Sequence, residues 1–75
     1  MVIDMSITIG EKIRNLREER NMTQTALGKA LNMTQRKISY MEHNQYEPSI
    51  GDIKELCLFF EISADYLLGL SDNLK

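Results

Sequence analysis

The sequence predicts a compact all-α domain built from five short helices. Its 75 residues leave room for one domain, because a chain of this size buries only about 60% of the surface that it exposes when unfolded. Apolar residues recur at helical spacing along most of the chain. A hydroxyl residue also stands where each apolar-periodic segment would begin, and such residues favour helix N-caps; these are Thr8, Thr23, Thr34, Ser49 and Ser63.

The caps and the apolar faces together give the expected bounds. Helix 1 starts at a capping box formed by Thr8 and Glu11 and runs to about residue 20. Helix 2 covers 24–31, helix 3 covers 35–43, helix 4 follows Ser49 to about residue 60, and helix 5 covers 64–68 with Gly69 as its C′ residue. The expected apolar face of helix 4 consists of Ile50, Ile53, Leu56, Cys57 and Phe60.

Residues 1–8 are expected to form an N-terminal arm, residues 9–70 the domain, and residues 71–75 a short tail. The arm carries alternating apolar residues at Ile3, Met5, Ile7 and Ile9, which is the period of a strand. Two interpretations stay open. The arm is either a flexible segment whose last residues pack on helix 1, or a β-arm that pairs with a second subunit, since a lone strand is not stable by itself.

Residues 24–43 are the most informative part of the chain. Leu27, Leu31, Ile38 and Met41 supply apolar positions on two short helices. Gly28 is small where the second helix must come close, and Asn32 lies at the bend, where we expect a positive φ. This is the arrangement of a helix-turn-helix, whose second helix is shaped to enter the DNA major groove.

The charge distribution is compatible with nucleic-acid binding despite a net charge of −2. Residues 1–46, which contain the helix pair, carry a net charge of +2, and residues 47–75 carry −4. Screening at physiological salt acts over roughly 8 Å, so an acidic far side does not prevent binding. It weakens non-specific DNA binding, which is almost entirely electrostatic.

Several function classes are disfavoured. The longest apolar run, residues 56–60, is too short to cross a bilayer, and the N-terminus does not resemble a signal peptide, which favours a cytoplasmic protein. Cys57 is the single cysteine and His43 the single histidine, and they fall on different helices. We therefore expect no disulfide, no metal site, no cofactor and no enzymatic activity. Without a separate sensor domain, we expect no small-molecule ligand.

Residues 10–72 resemble the Cro/C1-type (xenobiotic-response-element) helix-turn-helix family of bacterial and phage repressors. The matching segments are IRNLREERNMTQTALG, MTQRKISYMEHNQYEPS and LCLFFEISADYLLG. The resemblance implies a lambda-repressor-like five-helix domain that binds operator DNA, commonly as a two-fold dimer. Gly28 stands where the family usually has Ala, and Asn32 where it usually has Gly; both substitutions keep the fold.

The phase of helix 3 selects its outward face. At about 100° per residue, Arg36, Ser39, Tyr40 and His43 point away from the side that carries Ile38. Gln pairs bidentately with adenine and Arg with guanine. Gln24 resembles the family's phosphate-clamping glutamine. The expected DNA-binding residues are Gln24, Thr34, Gln35, Arg36, Lys37, Ser39, Tyr40, His43 and Asn44.

Two structural expectations complete the analysis. Glu42 and Arg17 face inward, where a charge needs a partner, and the family pattern pairs these positions, so we expect a salt bridge between them. A dimer interface is expected at Leu58, Phe59, Tyr66, Leu67 and Leu70.

The sequence therefore predicts a sequence-specific regulator that binds double-stranded DNA, most simply a repressor that binds a palindromic operator as a homodimer. The alternative is a protein-interaction module, such as an antitoxin or a regulator that acts through a protein partner.

Overall fold

The computed structural model describes residues 7–71, which form five α-helices. They are α1 (Ile9–Glu19), α2 (Gln24–Leu31), α3 (Gln35–Glu42), α4 (Ile50–Phe60) and α5 (Ala64–Leu67). The all-α prediction is confirmed. α1, α3 and α5 each end one residue before the predicted bound, because Arg20, His43 and Leu68 serve as C-caps. The interpretations of the arm at residues 1–6 and of the tail at 72–75 lie outside the described residues.

Every helix begins at the hydroxyl residue that the sequence indicates. The side-chain oxygens of Thr8, Thr23, Thr34, Ser49 and Ser63 each accept a hydrogen bond from the backbone N–H three residues later. Ser49 and Asp52 form a reciprocal capping box. Because each cap contributes about 1 kcal/mol to stability, these short helices begin at well-defined positions.

Asparagine ends three of the five helices. Asn21, Asn32 and Asn44 have φ values of 55°, 57° and 59° after α1, α2 and α3. The predicted positive φ at Asn32 is confirmed. Asn tolerates the left-handed conformation better than most residues, so three tight bends form without glycine. Glu61 ends α4 at a φ of 57° without this advantage, at a cost of about 1–2 kcal/mol.

Side chains from all five helices meet in one core, and α3 packs chiefly against α1 and α2. Its buried apolar residues are Ile13, Leu16, Leu27, Leu31, Ile38, Met41, Leu56, Phe60, Ile62 and Leu67. Two predictions are wrong. Ile50, placed on the apolar face of α4, is 80% exposed because it lies in the first turn, beyond the edge of the core. Leu67, placed in a dimer interface, is 1% exposed because it is the α5 side chain that fills the core.

Gly10 allows α1 to approach the end of α3 closely. A Cβ atom at position 10 would lie 2.5 Å from the carbonyl oxygen of Met41 and 2.6 Å from that of Glu42. Both neighbours are backbone atoms, which cannot move aside as a flexible side chain does. The helix that carries Arg17 can therefore rest directly on the helix that carries Glu42.

Candidate nucleic-acid interface

The turn between α2 and α3 is short and hydrogen-bonded. Met33 donates its N–H to the carbonyl of Gly28 at 2.7 Å. A Cβ atom at position 28 would lie 2.6 Å from the carbonyl oxygen of Met33, so the expected close approach is present. The turn fixes the crossing of the two helices, and α3 lies across the protein with one face exposed.

Of the residues that sequence analysis placed on the outward side of α3, the structure exposes Arg36, Tyr40 and His43. The face that begins at the N-terminal tip of the helix consists of Gln35, Arg36 and Tyr40, which are exposed, and Ser39, which is half-buried. We call these four residues the outer surface of α3. Thr34 is exposed immediately before them, as the N-cap of the same helix.

A continuous chain of hydrogen bonds connects this outer surface to the interior. Gln35 donates through Nε2 to Oε1 of Gln24 at 2.6 Å, and Gln24 donates through Nε2 to Oε1 of Glu42 at 3.1 Å. Arg17 completes the chain at its inner end. Gln24, half-buried at the start of α2, is therefore oriented from both sides.

The predicted ion pair between Arg17 and Glu42 is present. Arg17 donates through Nε to Oε2 of Glu42 at 2.6 Å and through Nη2 to Oε1 at 3.1 Å. Its Nη1 donates to the carbonyl of Met22 at 2.7 Å. The Glu42 side chain is only 1% exposed, and the hydrogen bond to this carboxylate raises the pKa of Arg17. The pair fixes α1 to α3 beneath the outer surface.

Arg36 and Tyr40 form a second pair, on the outer surface itself. Arg36 donates through Nε to the hydroxyl of Tyr40 at 3.1 Å, and its guanidinium carbon lies 5.7 Å from the centre of the Tyr40 ring. Neither Nη group of Arg36 has a hydrogen-bond partner among residues 7–71, and two N–H donors in one plane match the O6 and N7 acceptors of guanine.

Lys37 points in a different direction from Arg36. Its ammonium donates to Oδ1 of Asp52, on α4, at 2.9 Å. Tyr46 and the N–H of Ser49 both donate to the other carboxylate oxygen of Asp52 at 3.0 Å. Burial by itself would raise the pKa of Asp52, but the hydrogen bonds from Lys37, Ser49 and Tyr46 hold it below its usual range. Lys37 is thus held against α4.

Asn44 has a structural contact that sequence analysis missed. Its Oδ1 accepts the N–H of Gly10 at 3.1 Å, and its Nδ2 donates to Thr8 at 2.8 Å. Asn44 therefore closes the N-terminus of α1 from 34 residues away in sequence, and nothing in the local pattern indicates this contact. His43 lies on the solvent side, with Nδ1 2.8 Å from the carbonyl of Ser39.

α4 and the segment that follows α5 carry exposed leucines. Leu58 is 74% exposed, and Leu68 and Leu70 are also exposed; Leu68 was not among the residues predicted there. The half-buried rings of Phe59 and Tyr66 have cationic neighbours: the Arg20 guanidinium carbon lies 5.5 Å from the Phe59 ring centre, and the Lys12 ammonium lies 4.5 Å from that of Tyr66. We call Leu58, Leu68 and Leu70, with these two rings, the leucine surface.

Within residues 7–71, no helix is both long and apolar enough to cross a membrane. The same part of the chain contains no group of three or more His, Cys, Asp or Glu residues arranged to hold a metal ion. Burial raises the pKa of the single thiol, Cys57, which packs against the core.

Comparison with known proteins identifies relatives of this arrangement. A family model described as "Helix-turn-helix" matches residues 13–67. The chain is 35% identical over 63 residues to the HTH-type transcriptional regulator PrpR of Mycobacterium tuberculosis, covering 84% of this chain and 13% of that protein. It is 25% identical over 69 residues to the immunity repressor protein of Bacillus phage phi105, covering 92% of this chain and 48% of the repressor. The chain thus spans about an eighth and about half of these relatives.

A solved structure of the P22 c2 repressor protein in complex with a synthetic operator is also similar. The two chains superpose with a TM-score of 0.79 at 33% identity, covering 85% of this chain and 97% of the other. Because the likeness covers 85% of this chain, it extends well beyond the helix pair.

Proposed function

Because this chain belongs to the Cro/C1-type helix-turn-helix family, we propose that it binds double-stranded DNA sequence-specifically through the outer surface of α3 and represses transcription. It acts as a regulator without catalytic activity, in the cytoplasm of a bacterium or of a phage-infected cell. The observation that carries the proposal is the pair of exposed, preoriented side chains Gln35 and Arg36.

The chemistry of these two side chains supports base recognition. With one Nε2 hydrogen bound to Gln24, Gln35 keeps its second N–H and its carbonyl oxygen for the N7 and N6 groups of adenine. Arg36, held through Nε by Tyr40, keeps two N–H donors for guanine. Preorganised side chains lose less conformational entropy on binding.

Other residues support backbone contacts. The N-terminus of α2 beside Gln24 presents unpaired N–H groups and a partial positive charge, which favours a phosphate oxygen. Thr34, Ser39 and His43 lie along the same helix and are proposed to contact phosphate or sugar, which positions the domain without reading sequence. Asn44 takes part more weakly, since its side chain also closes α1.

We further propose that two copies bind a palindromic operator. The leucine surface belongs to α4, α5 and the residues that follow α5, and it supplies exposed apolar area for a second copy. Two α3 helices would then enter successive major grooves roughly 34 Å apart. The selected DNA sites and the oligomeric state test this arrangement together.

The test is selection of bound duplexes from a random pool at fixed salt, followed by titration of Arg36→Ala on the selected site. We expect an enriched palindrome. We expect Arg36→Ala to weaken binding by about 1–3 kcal/mol and to relax preference at one base pair per half-site. Arg14→Ala is the matched control, because Arg14 also pairs with a residue four positions later, Glu18, but on the exposed side of α1. The affinity of the Arg14→Ala variant for the selected site should equal that of the parent protein.

Two results would contradict the proposed base recognition, and a third would contradict only the proposed dimer. Absence of any enriched sequence would favour the alternative, a protein-interaction module. Equal losses for Arg36→Ala and Arg14→Ala would mean that binding depends on overall charge and not on base recognition. A monomer by light scattering, both free and on the selected site, would remove the dimer while leaving DNA binding intact.

A further inference from the structure

Lys37 belongs to α3 but is bound to α4. Its side chain is 34% exposed, whereas that of Asp52 is only 7% exposed. The ammonium lies 2.9 Å from Oδ1 of Asp52 and 5.4 Å from the ring centre of Tyr46. Arg36, the preceding residue, is exposed, and among residues 7–71 its guanidinium forms a hydrogen bond and a ring contact only with Tyr40 on the same helix. The two neighbouring cations of α3 therefore differ in their partners: Lys37 is paired with a carboxylate of α4, whereas Arg36 stays on the exposed face of α3.

The ion pair with Lys37 is energetically favourable for the buried carboxylate of Asp52. A buried carboxylate that loses its partner retains a costly unpaired charge. Both oxygens of Asp52 are already occupied, by Lys37 on one side and by Tyr46 and Ser49 on the other. At 2.9 Å the two opposite charges form a neutral pair when viewed from a distance, so Lys37 adds little to the positive field of α3.

Released from Asp52, Lys37 could reach a phosphate. Around α3 it lies about 60° from Tyr40, which belongs to the outer surface. A lysine stem is long and flexible enough to carry its ammonium past the edge of a helix face. The position of Lys37 is therefore suited to a backbone contact that its pairing with α4 prevents.

We propose that Asp52 withholds Lys37 from DNA, so that α3 neutralises one phosphate fewer than its sequence provides. This inference rests on the proposed DNA binding. Its consequence is a lower non-specific affinity relative to base-dependent affinity, because phosphate contacts add to every sequence equally. Asp52 thereby acts as an internal competitor of the DNA backbone.

The test is the salt dependence of binding to a fixed duplex that lacks the selected site. Each additional neutralised phosphate steepens the plot of log affinity against log salt by about 0.9, which adds about a 3-fold loss of affinity between 50 and 200 mM salt. We expect Asp52→Asn to show this steeper slope, because the amide keeps an acceptor for Ser49 and Tyr46 but no longer neutralises Lys37. Glu55→Gln is the matched control: it removes an exposed acid from the same helix and should leave the slope unchanged.

The double variant Lys37→Met with Asp52→Asn supplies the decisive second measurement. It removes the cation and the anion together and leaves no unpaired buried charge. We therefore expect the double variant to fold even if Asp52→Asn alone does not. If Lys37 is withheld, the double variant keeps the parent slope. If Lys37 already contacts phosphate, the slope falls by about 0.9 and the inference is wrong.

The outcomes also separate this inference from the proposed function. Measurable binding by the parent protein with an unchanged slope in Asp52→Asn would overturn the inference alone. Failure of the parent protein to bind any duplex would overturn the proposed function and this inference with it. Circular dichroism melts fix a temperature at which every variant compared is folded.

Discussion

Two ion pairs hold α3, one from each side, and they differ in depth and geometry. Arg17 on α1 donates two hydrogen bonds to Glu42, and the Glu42 carboxylate is almost completely buried. Lys37 on α3 makes a single hydrogen bond to Asp52 on α4 and stays one-third exposed. The first pair places the acid on α3 and the second places the base there.

The difference explains what each pair contributes. A planar guanidinium bound through two N–H groups fixes an orientation, whereas an ammonium on a flexible stem acts as a point charge. The Arg17–Glu42 pair therefore determines how α3 is oriented, and it extends through Gln24 to the exposed amide of Gln35. The Lys37–Asp52 pair mainly determines how much charge α3 presents.

The largest effect should come from breaking the deeper pair. Glu42→Leu removes the acceptor of Arg17 and of Gln24, and loss of one partner of a buried pair costs about 3–5 kcal/mol. We expect the double variant with Arg17→Met to lose less stability than Glu42→Leu alone, because no charge is left unpaired. Thermal melts of the four proteins measure the coupling.

The exposed pair Arg14–Glu18 provides the reference for this cycle. Its two side chains lie four residues apart on α1 in solvent, and such pairs contribute about 0.3–0.5 kcal/mol. Additive losses in the Arg17–Glu42 cycle, or a coupling no larger than that of Arg14–Glu18, would contradict a structural role for the buried pair.

An intermediate effect is expected from separating α1 and α3 without touching either charge. Gly10→Ala would place a Cβ atom 2.5 Å from the carbonyl oxygen of Met41, and overpacking of this kind costs typically about 1–3 kcal/mol. The matched control is Gly51→Ala on α4, where the added Cβ atom would lie 3.7 Å from Oγ of Ser49, an ordinary van der Waals contact. There we expect a gain of up to about 1 kcal/mol from helix propensity. Equal responses at both sites in chemical denaturation would mean that the close approach is not required.

The smallest effect concerns pH and the Lys37–Asp52 pair. Since the pKa of Asp52 lies below its ordinary value of 3.8, its contribution to stability is fully present above that value. The contribution is lost as the pH falls through the lower pKa of the folded state. We expect Asp52→Asn to lose less stability than the parent protein as the pH falls from neutral to below 3.8, measured by thermal melts. If the melting temperatures of the two proteins fall equally with decreasing pH, the Lys37–Asp52 pair contributes nothing to the pH dependence of stability.

Much of this fold was predictable because its signals are local. The hydroxyl residue at each helix start bonds a backbone N–H only three residues later, so the signal lies within four consecutive residues. The spacing of apolar residues along each helix indicates its inward face. Asn32 indicated a positive φ at the bend, because few residues other than Gly and Asn tolerate this conformation. The pairing of Arg17 with Glu42 was expected from the family pattern, and two inward-facing opposite charges support it.

Local patterns do not show what happens where distant elements meet. Leu67 was wrongly assigned to the surface because the sequence does not show which side of a four-residue helix faces the core. The DNA contact of Lys37 stays a prediction, and the helix phase behind it does not reveal the ion pair with Asp52, fifteen residues away. The role of Gly10 depends on the backbone of α3, and no pattern near position 10 encodes it.

The hydrogen-bond chain from Arg17 to Gln35 has a consequence for how this domain can diversify. Gln35 is connected to the interior, so changing it disturbs a partner of the buried carboxylate as well as a base contact. Within the described part of the chain, the side chains of Arg36 and Tyr40 form a hydrogen bond only with each other. Lineages that acquire new target sites should therefore vary first at positions 36 and 40, while position 35 changes late and together with position 24.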